Sequence, residues 1–468
     1  MPAYKEPGCR ELKAFSLSVN PAYNKLQVEI SNRQILKIAL PISLALLVPQ
    51  INFVVNNVFL SGLGETELGT AGITGVFYLI FALAGNGLNS GLQGLLARRA
   101  GENRPHEIGK LFAQGLWIAL FFAVAGILIT YLLGPVILSA SIRSDDVSRQ
   151  AIGFLKIRVW GVPFLYFFQI CNALLVGTNN SRYMKYGFWI QAAVNILLDY
   201  ALIYGHWGLP ELGFNGAAYA SVISEIAGLL IVLGIVLFKK FHHRFQLFQN
   251  MKYDPPRSGL IFRQSSPLVA QFLLSILSWM LFYILIEHKG ERQLAISNTM
   301  RNIFGIFGIF TWAFASTANA MVSNIIGQGK KEQVIGLIIR IMKLSAGFTF
   351  ILCLLVNIFP GLFLSIYGRE EGFNADAIPV IRIVSAGIML MSVATVWLNS
   401  VTGTGNTKVN LAIEIITILA YTLYIYLALR VWNLGLVWAW ASELIYWGIL
   451  FTLSFLYLRS GRWKKKVI

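Results

Sequence analysis

Asn195 and Asp199 stand four residues apart inside an apolar run, NILLDYALIYG. In a helix, residues i and i+4 share a face, so the amide and the carboxylate point the same way. A carboxylate within a membrane-spanning helix costs roughly 2.5–3.5 kcal/mol on insertion scales, and its presence implies a compensating role. Such a group can carry a proton. With amide and hydroxyl oxygens beside it, it can equally hold Na+, so a possible Na+ site is centred on Asp199. The bland alternative is a structural acid satisfied by hydrogen bonds between helices. Glu225, Glu414 and Glu443 also fall within apolar runs and form a secondary set. They could bind a cation or serve as structural contacts. No Walker A motif, catalytic triad or metal-ligand set accompanies these acids, so neither an enzyme nor a cofactor is expected.

The elements that must position these groups are membrane helices. Of 468 residues, 56% are hydrophobic and only 13% are charged. A soluble chain carries about a quarter charged residues. Apolar runs of roughly 20 residues recur along the whole length, which reads as an all-α polytopic membrane protein with twelve spans. The net charge of +17 would suggest nucleic acid in a soluble chain. Here the basic residues sit in loops and tails, so the bilayer is the expected partner and nucleic acid is not. Cys9, Cys171 and Cys353 are far apart and form neither a disulfide framework nor a metal site.

The chain divides into a cytoplasmic arm (1–33), an N-terminal lobe of six spans (34–238), a linker (239–263), a C-terminal lobe of six spans (264–458) and a basic tail (459–468). The arm is polar and mixed, and the first span is expected to act as its own insertion signal. Basic stretches such as ARRAGENRPHEIGK, GQGKKE and RSGRWKKKVI fall in alternate loops and at both ends. The positive-inside rule then places both termini and the linker in the cytoplasm, in a multi-pass plasma (inner) membrane protein.

The two lobes are a repeat. A shift of 226 residues lays Pro41 on Pro267, GETEL on GERQL, ARRAGENR on SNIIGQGK and VGTNN on TGTGN. After an eight-residue shortening, Ser224 and Glu225 fall on Ser442 and Glu443. Six spans per copy keep both copies in one orientation, so the repeat is parallel, about an axis along the membrane normal. Transporters with such repeats place their site between the lobes.

These residues resemble the multidrug and toxic compound extrusion (MATE) family, in its prokaryotic form. The resemblance rests on Pro41, FLSGLG, NSGLQGLLARRAGENR, GTNNSRYMK, NILLDYALIYG and ELGFNGAAYASVIS, and runs from about residue 35 to 458. It implies a twelve-helix, two-lobe antiporter that exports amphipathic, often cationic compounds in exchange for H+ or Na+, by alternating access. It also implies a polar cluster in the N-terminal lobe. Asn195 and Asp199 match the fifth-helix Asn and Asp of that cluster. Ser221 stands where the sixth helix usually has Thr, and Asn172 matches a fourth-helix Asn. The frequent first-helix Asp is Asn56 here, and the seventh-helix Glu of several branches falls at Ser275. Neither replacement can titrate. A lipid-linked saccharide flippase of similar fold is the first rival. It should line its cavity with Arg and Lys, whereas the interior basic residues here are few, chiefly Arg158, Arg301, Arg340 and Arg382. An uncoupled channel or receptor is the second rival, and the two-lobe repeat argues against it. The protein is expected to act as a monomer.

The charge bias makes the topology testable. A cysteine in place of His242, in the linker, should react with an impermeant maleimide only from the cytoplasm. One in place of Asn374 should react only from outside, and labelling of both from one side would refute the twelve-span topology.

Overall fold

The structure is a computed structural model that describes residues 26–249, 251–364 and 372–466. Residues 1–25 of the expected arm, Cys9 among them, lie outside the described residues. Among the described residues the chain is all-α, and twelve helices are long and apolar enough to cross a membrane. They are α1 (Asn32–Ser61), α2 (Thr66–Gly101), α3 (Pro105–Leu132), α4 (Asp145–Gly177), α5 (Ser181–Tyr204) and α6 (Phe214–Phe238) in the first lobe. In the second they are α7 (Pro255–Glu287), α8 (Glu291–Gly327), α9 (Lys331–Ile358), α10 (Phe373–Gly403), α11 (Thr407–Val431) and α12 (Leu436–Arg459).

One boundary differs from the sequence reading. Residues 255–263 were expected in the linker, yet α7 begins at Pro255. Asp254 caps it by accepting a hydrogen bond from the Arg257 amide at 3.2 Å. Pro255 and Pro256 then occupy the first turn, where the missing N–H is not needed and the fixed φ already suits a helix. The prolines therefore start a helix here; they do not break one.

The packing repeats as the sequence does. In the first lobe α5 packs on α6 and α1, and α2 packs on α4 and α3. In the second lobe the mates do the same: α11 on α12 and α7, α8 on α10 and α9. Between lobes, α2 lies against α7 and α8, and α8 lies against α1.

The hydrogen bonds between lobes gather on the side that carries the basic loops. Gln93 and Asn319 are repeat mates, as are Ser90 and Ser316. The Gln93 Nε2 donates to the Ser316 carbonyl, and the Asn319 Nδ2 donates to the Ser90 carbonyl, both at 2.9 Å. This is one contact made twice about a pseudo-two-fold axis. About two turns nearer the basic side, Gly101 faces Asn324 and its mate Gly327 faces Arg98. A Cβ on Gly101 would lie 2.0 Å from the Asn324 carbonyl oxygen, and one on Gly327 would lie 2.3 Å from that of Arg98. Small residues are what allow such approach between membrane helices.

Gly101→Ala should therefore force the two helices apart. We expect a loss of roughly 1–3 kcal/mol, the usual cost of overpacking a close contact, read as a lower unfolding temperature of the purified protein in detergent. An unchanged temperature would show that the crossing has slack.

Candidate functional site

Helices α1 and α5 run side by side, and each carries a polar pair at i, i+4. Asn52 and Asn56 on α1 face Asn195 and Asp199 on α5. The Asn52 Nδ2 donates to the Asn195 Oδ1 at 2.5 Å. With its amide nitrogen turned to the acid, Asn56 donates to the Asp199 Oδ2 at 2.5 Å and to the Asn52 carbonyl at 3.3 Å. The result is two rungs, Asn52–Asn195 and Asn56–Asp199. Asn195 and Asp199 are buried. Asp199 is five residues from the Tyr204 end of α5, and Asn56 is five from the Ser61 end of α1. At about 1.5 Å per residue, the pair lies near the side opposite the basic loops.

The rungs leave chemistry unspent. Among the described residues, the Asp199 Oδ1, the Asn52 Oδ1 and the Asn195 Nδ2 are buried with no protein partner. Two acceptors and one donor face the needs of a small cation or a hydrated proton. Asn56 adds a second property, because an amide serves either protonation state of its neighbour. Its nitrogen satisfies a carboxylate, and its oxygen accepts from a carboxylic acid.

Asn52 was missed in the sequence. Its signal was available, since Asn52 and Asn56 repeat on α1 the spacing that singled out Asn195 and Asp199. Other expected members are placed elsewhere. Among the described residues, no hydrogen bond joins Ser221 to Asp199, and the carbonyl of Ser221 instead accepts from the Ser224 hydroxyl at 2.8 Å. Asn172 is fully buried near the basic end of α4, and neither of its amide atoms has a protein partner.

Glu225 is an ion-paired acid. Arg158 grips it with both nitrogens, at 2.9 Å and 2.6 Å. The Tyr78 hydroxyl donates to the same carboxylate at 2.9 Å, and the Tyr78 ring lies 3.7 Å from the guanidinium carbon. A Cβ at Gly161 would sit 2.0 Å from the Glu225 Oε2, so glycine there lets the pair close. Glu443, its repeat mate, has no such cation. It accepts from the Trp447 indole at 2.9 Å and from the Tyr421 hydroxyl at 3.5 Å. The mates of Arg158 and Tyr78 are Val384 and Phe304. Glu414 is buried as well, and accepts from the Ser275 hydroxyl at 2.7 Å, from Gln271 at 3.4 Å and from the Tyr446 hydroxyl.

Arg158 is nearly buried, whereas Arg301, Arg340 and Arg382 are exposed. Arg301 lies against the Tyr283 ring, 5.5 Å from its centroid, and Glu287 sits 3.7 Å from His288. The polar row Asn86, Asn89 and Gln93 of α2 binds Gln169 of α4, at 3.0 Å and 3.1 Å, and Ser316 of α8. Tyr166 and Phe168, candidates for a drug-facing aromatic surface, are core residues, while Trp160 is exposed.

Twelve spans, two repeated lobes and a polar site deep in one of them define a membrane transporter of the two-lobe kind. The MatE family model matches residues 41–201 and again 267–427, once in each lobe, and the chain belongs to that family. Its members are transporters, not enzymes. A probable multidrug resistance protein NorM of Synechocystis is 30% identical over 226 residues, which are 48% of this chain and 49% of that protein. A probable multidrug resistance protein NorM of Thermotoga maritima is 23% identical over 95% of this chain and 96% of its own length. The crystal structure of a MATE protein in complex with MaL6 superposes with a TM-score of 0.87 at 18% identity, over 96% of this chain and 100% of that one.

The Arg158–Glu225 pair gives a test of the site's frame. Arg158→Met leaves a buried carboxylate uncompensated and should cost roughly 3–5 kcal/mol, whereas the double change Arg158→Met with Glu225→Met should recover most of it. Thermal unfolding of the three proteins in detergent measures this. A double variant no more stable than the single one would mean that the pair does more than balance its own charge.

Proposed function

We propose that the chain exports amphipathic, chiefly cationic compounds across the plasma membrane in exchange for H+ or Na+, with Asp199 as the coupling acid. One observation carries this reading: the two rungs between α1 and α5, which bring one carboxyl and three amides together and leave two buried oxygens unpaired. The repeat gives it contrast. The positions in the second lobe that correspond to Asn52, Asn56, Asn195 and Asp199 are Ser278, Phe282, Tyr421 and Ile425. These are buried, and Phe282 stacks near Tyr421 with centroids 6.5 Å apart. The same frame holds a carboxyl and three amides in one copy and neither group in the other, as expected if the first copy has work to do.

The basic side is taken as cytoplasmic, with both termini there. The seam that joins α2 and α8 lies on that side, which favours an arrangement open toward the outside. An ion entering from outside meets Asp199 about 7–8 Å below the helix ends, from the 1.5 Å rise per residue. A proton on Asp199 lets Asn56 present its oxygen. A sodium ion would take the free oxygens of Asp199 and Asn52. Either occupancy changes what α1 and α5 offer each other. Antiport follows if ion and cargo each lower the other's affinity, a coupling that is reciprocal. Arg158, nearly buried on α4, is already held by Glu225. That neutral pair favours cationic cargo over the pyrophosphate of a lipid-linked saccharide.

Asp199→Asn keeps the shape of the rung and removes its titration. In proteoliposomes it should abolish ion-driven export of a lipophilic cation while insertion stays normal. Asn52→Ala should slow export by about tenfold, the order of one buried hydrogen bond. Gradients of pH and Na+ imposed separately identify the ion in the unaltered protein. Wild-type rates in Asp199→Asn would move coupling to Glu414 or Glu443.

A further inference from the structure

The seam between the lobes carries a second set of contacts that packing does not require. Arg98 ends α2 on the basic side and is 5% exposed. Its guanidinium reaches into the other lobe. It donates to the carbonyls of Gly403 and Thr404, at 3.2 Å and 3.3 Å, and lies 3.4 Å from the Ser323 hydroxyl. Gly403 closes α10, so these are helix-terminal carbonyls that lack intrahelical partners and carry the negative end of the dipole.

Asn324 is the repeat mate of Arg98, and it does something different. It faces residues 26–28, which lead into α1. Its Nδ2 donates to the Leu26 carbonyl at 3.0 Å and to the Ala97 carbonyl at 3.2 Å, and its Oδ1 accepts from the Val28 amide at 3.1 Å. Gln328 adds a bond to the Val28 carbonyl at 2.9 Å, and Gln27 reaches the Gly101 carbonyl at 2.9 Å. Leu26 itself is fully buried. The segment before α1 is thereby laid across the α2–α8 crossing like a strap. It belongs to the first lobe by chain and is bonded to the second by Asn324 and Gln328.

We infer that Arg98, Asn324 and the strap 26–28 form a latch that holds the basic side of the transporter shut and so sets the balance between its two conformations. Parting the lobes on this side must break the bonds from Arg98 to α10 and from Asn324 and Gln328 to the strap together. The bonds of Arg98 and of Asn324 start from equivalent places in the repeat, so one separation of α2 from α8 strains both. Opening elsewhere, at the level of Asp199, breaks none of them. The inference rests on the alternating-access reading above, and it names the residues that give one of the two states its weight.

The test uses the full chain with Cys9, Cys171 and Cys353 replaced and a single cysteine at Ser316→Cys, inside the seam. Its rate of reaction with a membrane-permeant maleimide reports opening on the basic side. Arg98→Ala should raise that rate at least tenfold. The pair Gln27→Ala and Gln328→Ala removes strap bonds without touching the buried arginine, and should raise it by a smaller factor. If Arg98→Ala does not fold, this pair decides. If cargo or an ion gradient changes the rate in the parent protein but both sets of variants stay within twofold of it, the latch is overturned and alternating access stands. If no condition changes the parent's rate, the lobes do not part here, and both readings fall.

Discussion

Two helices touch because two glycines let them. In a bilayer there is no hydrophobic gain from pressing helices together, so contact depends on close approach and on hydrogen bonds. At Gly101 and Gly327 the backbone of α2 meets the backbone of α8, with no room for a Cβ on either. The rest of the arrangement follows from that crossing. It fixes the pseudo-two-fold relation, since Gln93 and Asn319 bond reciprocally about two turns away. It also joins the lobes on the basic side, far from the Asp199 rungs near the opposite ends of α1 and α5.

Polar groups in this protein fall into two kinds. Those of α2 and α8 bind lobe to lobe, and Asn89, Gln93 and Asn319 each make at least one bond there, although the Asn89 and Asn319 oxygens are left over. In the Asp199 cluster, among the described residues, three buried atoms lie together and face no protein partner. Unmet polar atoms are costly in hydrocarbon, and a stable fold has no reason to keep them together. The Glu225–Arg158 pair shows that the same lobe can satisfy a buried acid fully when structure is the purpose. The contrast between two acids in one lobe argues more strongly for Asp199 than its burial alone.

Much of this was legible in the chain. Span number, the repeat and its register came from apolar run length and from loop motifs at a constant offset, signals that depend only on local chemistry. Asn195 and Asp199 were visible for the same reason, because one helix presents both. What failed was relational. Asn52 went unnoticed because its partner is 143 residues away. Arg301 was counted among the interior cations, while it is exposed beside the Tyr283 ring. Residues 255–263 fell to the linker because the cap of α7, Asp254, matters only once the helix direction is known.

The same distinction bears on how acids in such a lobe should be sought. At the seventh-helix position where some related chains carry Glu, this chain has Ser275, and a reading by position finds no acid there. In space the acid is present. The Ser275 hydroxyl donates at 2.7 Å to Glu414, which arrives from α11, and Gln271 and Tyr446 complete its surroundings. A carboxyl in hydrocarbon needs donors within reach and does not depend on which helix supplies its backbone. Helices α7 and α11 pack along their length, so an acid can be contributed from either face of that contact. Glu414 has only neutral donors, in contrast to Glu225 with its arginine. Among the described residues the second lobe therefore keeps a buried acid free of ion pairing, although its counterpart of the Asp199 cluster holds neither amide nor carboxyl.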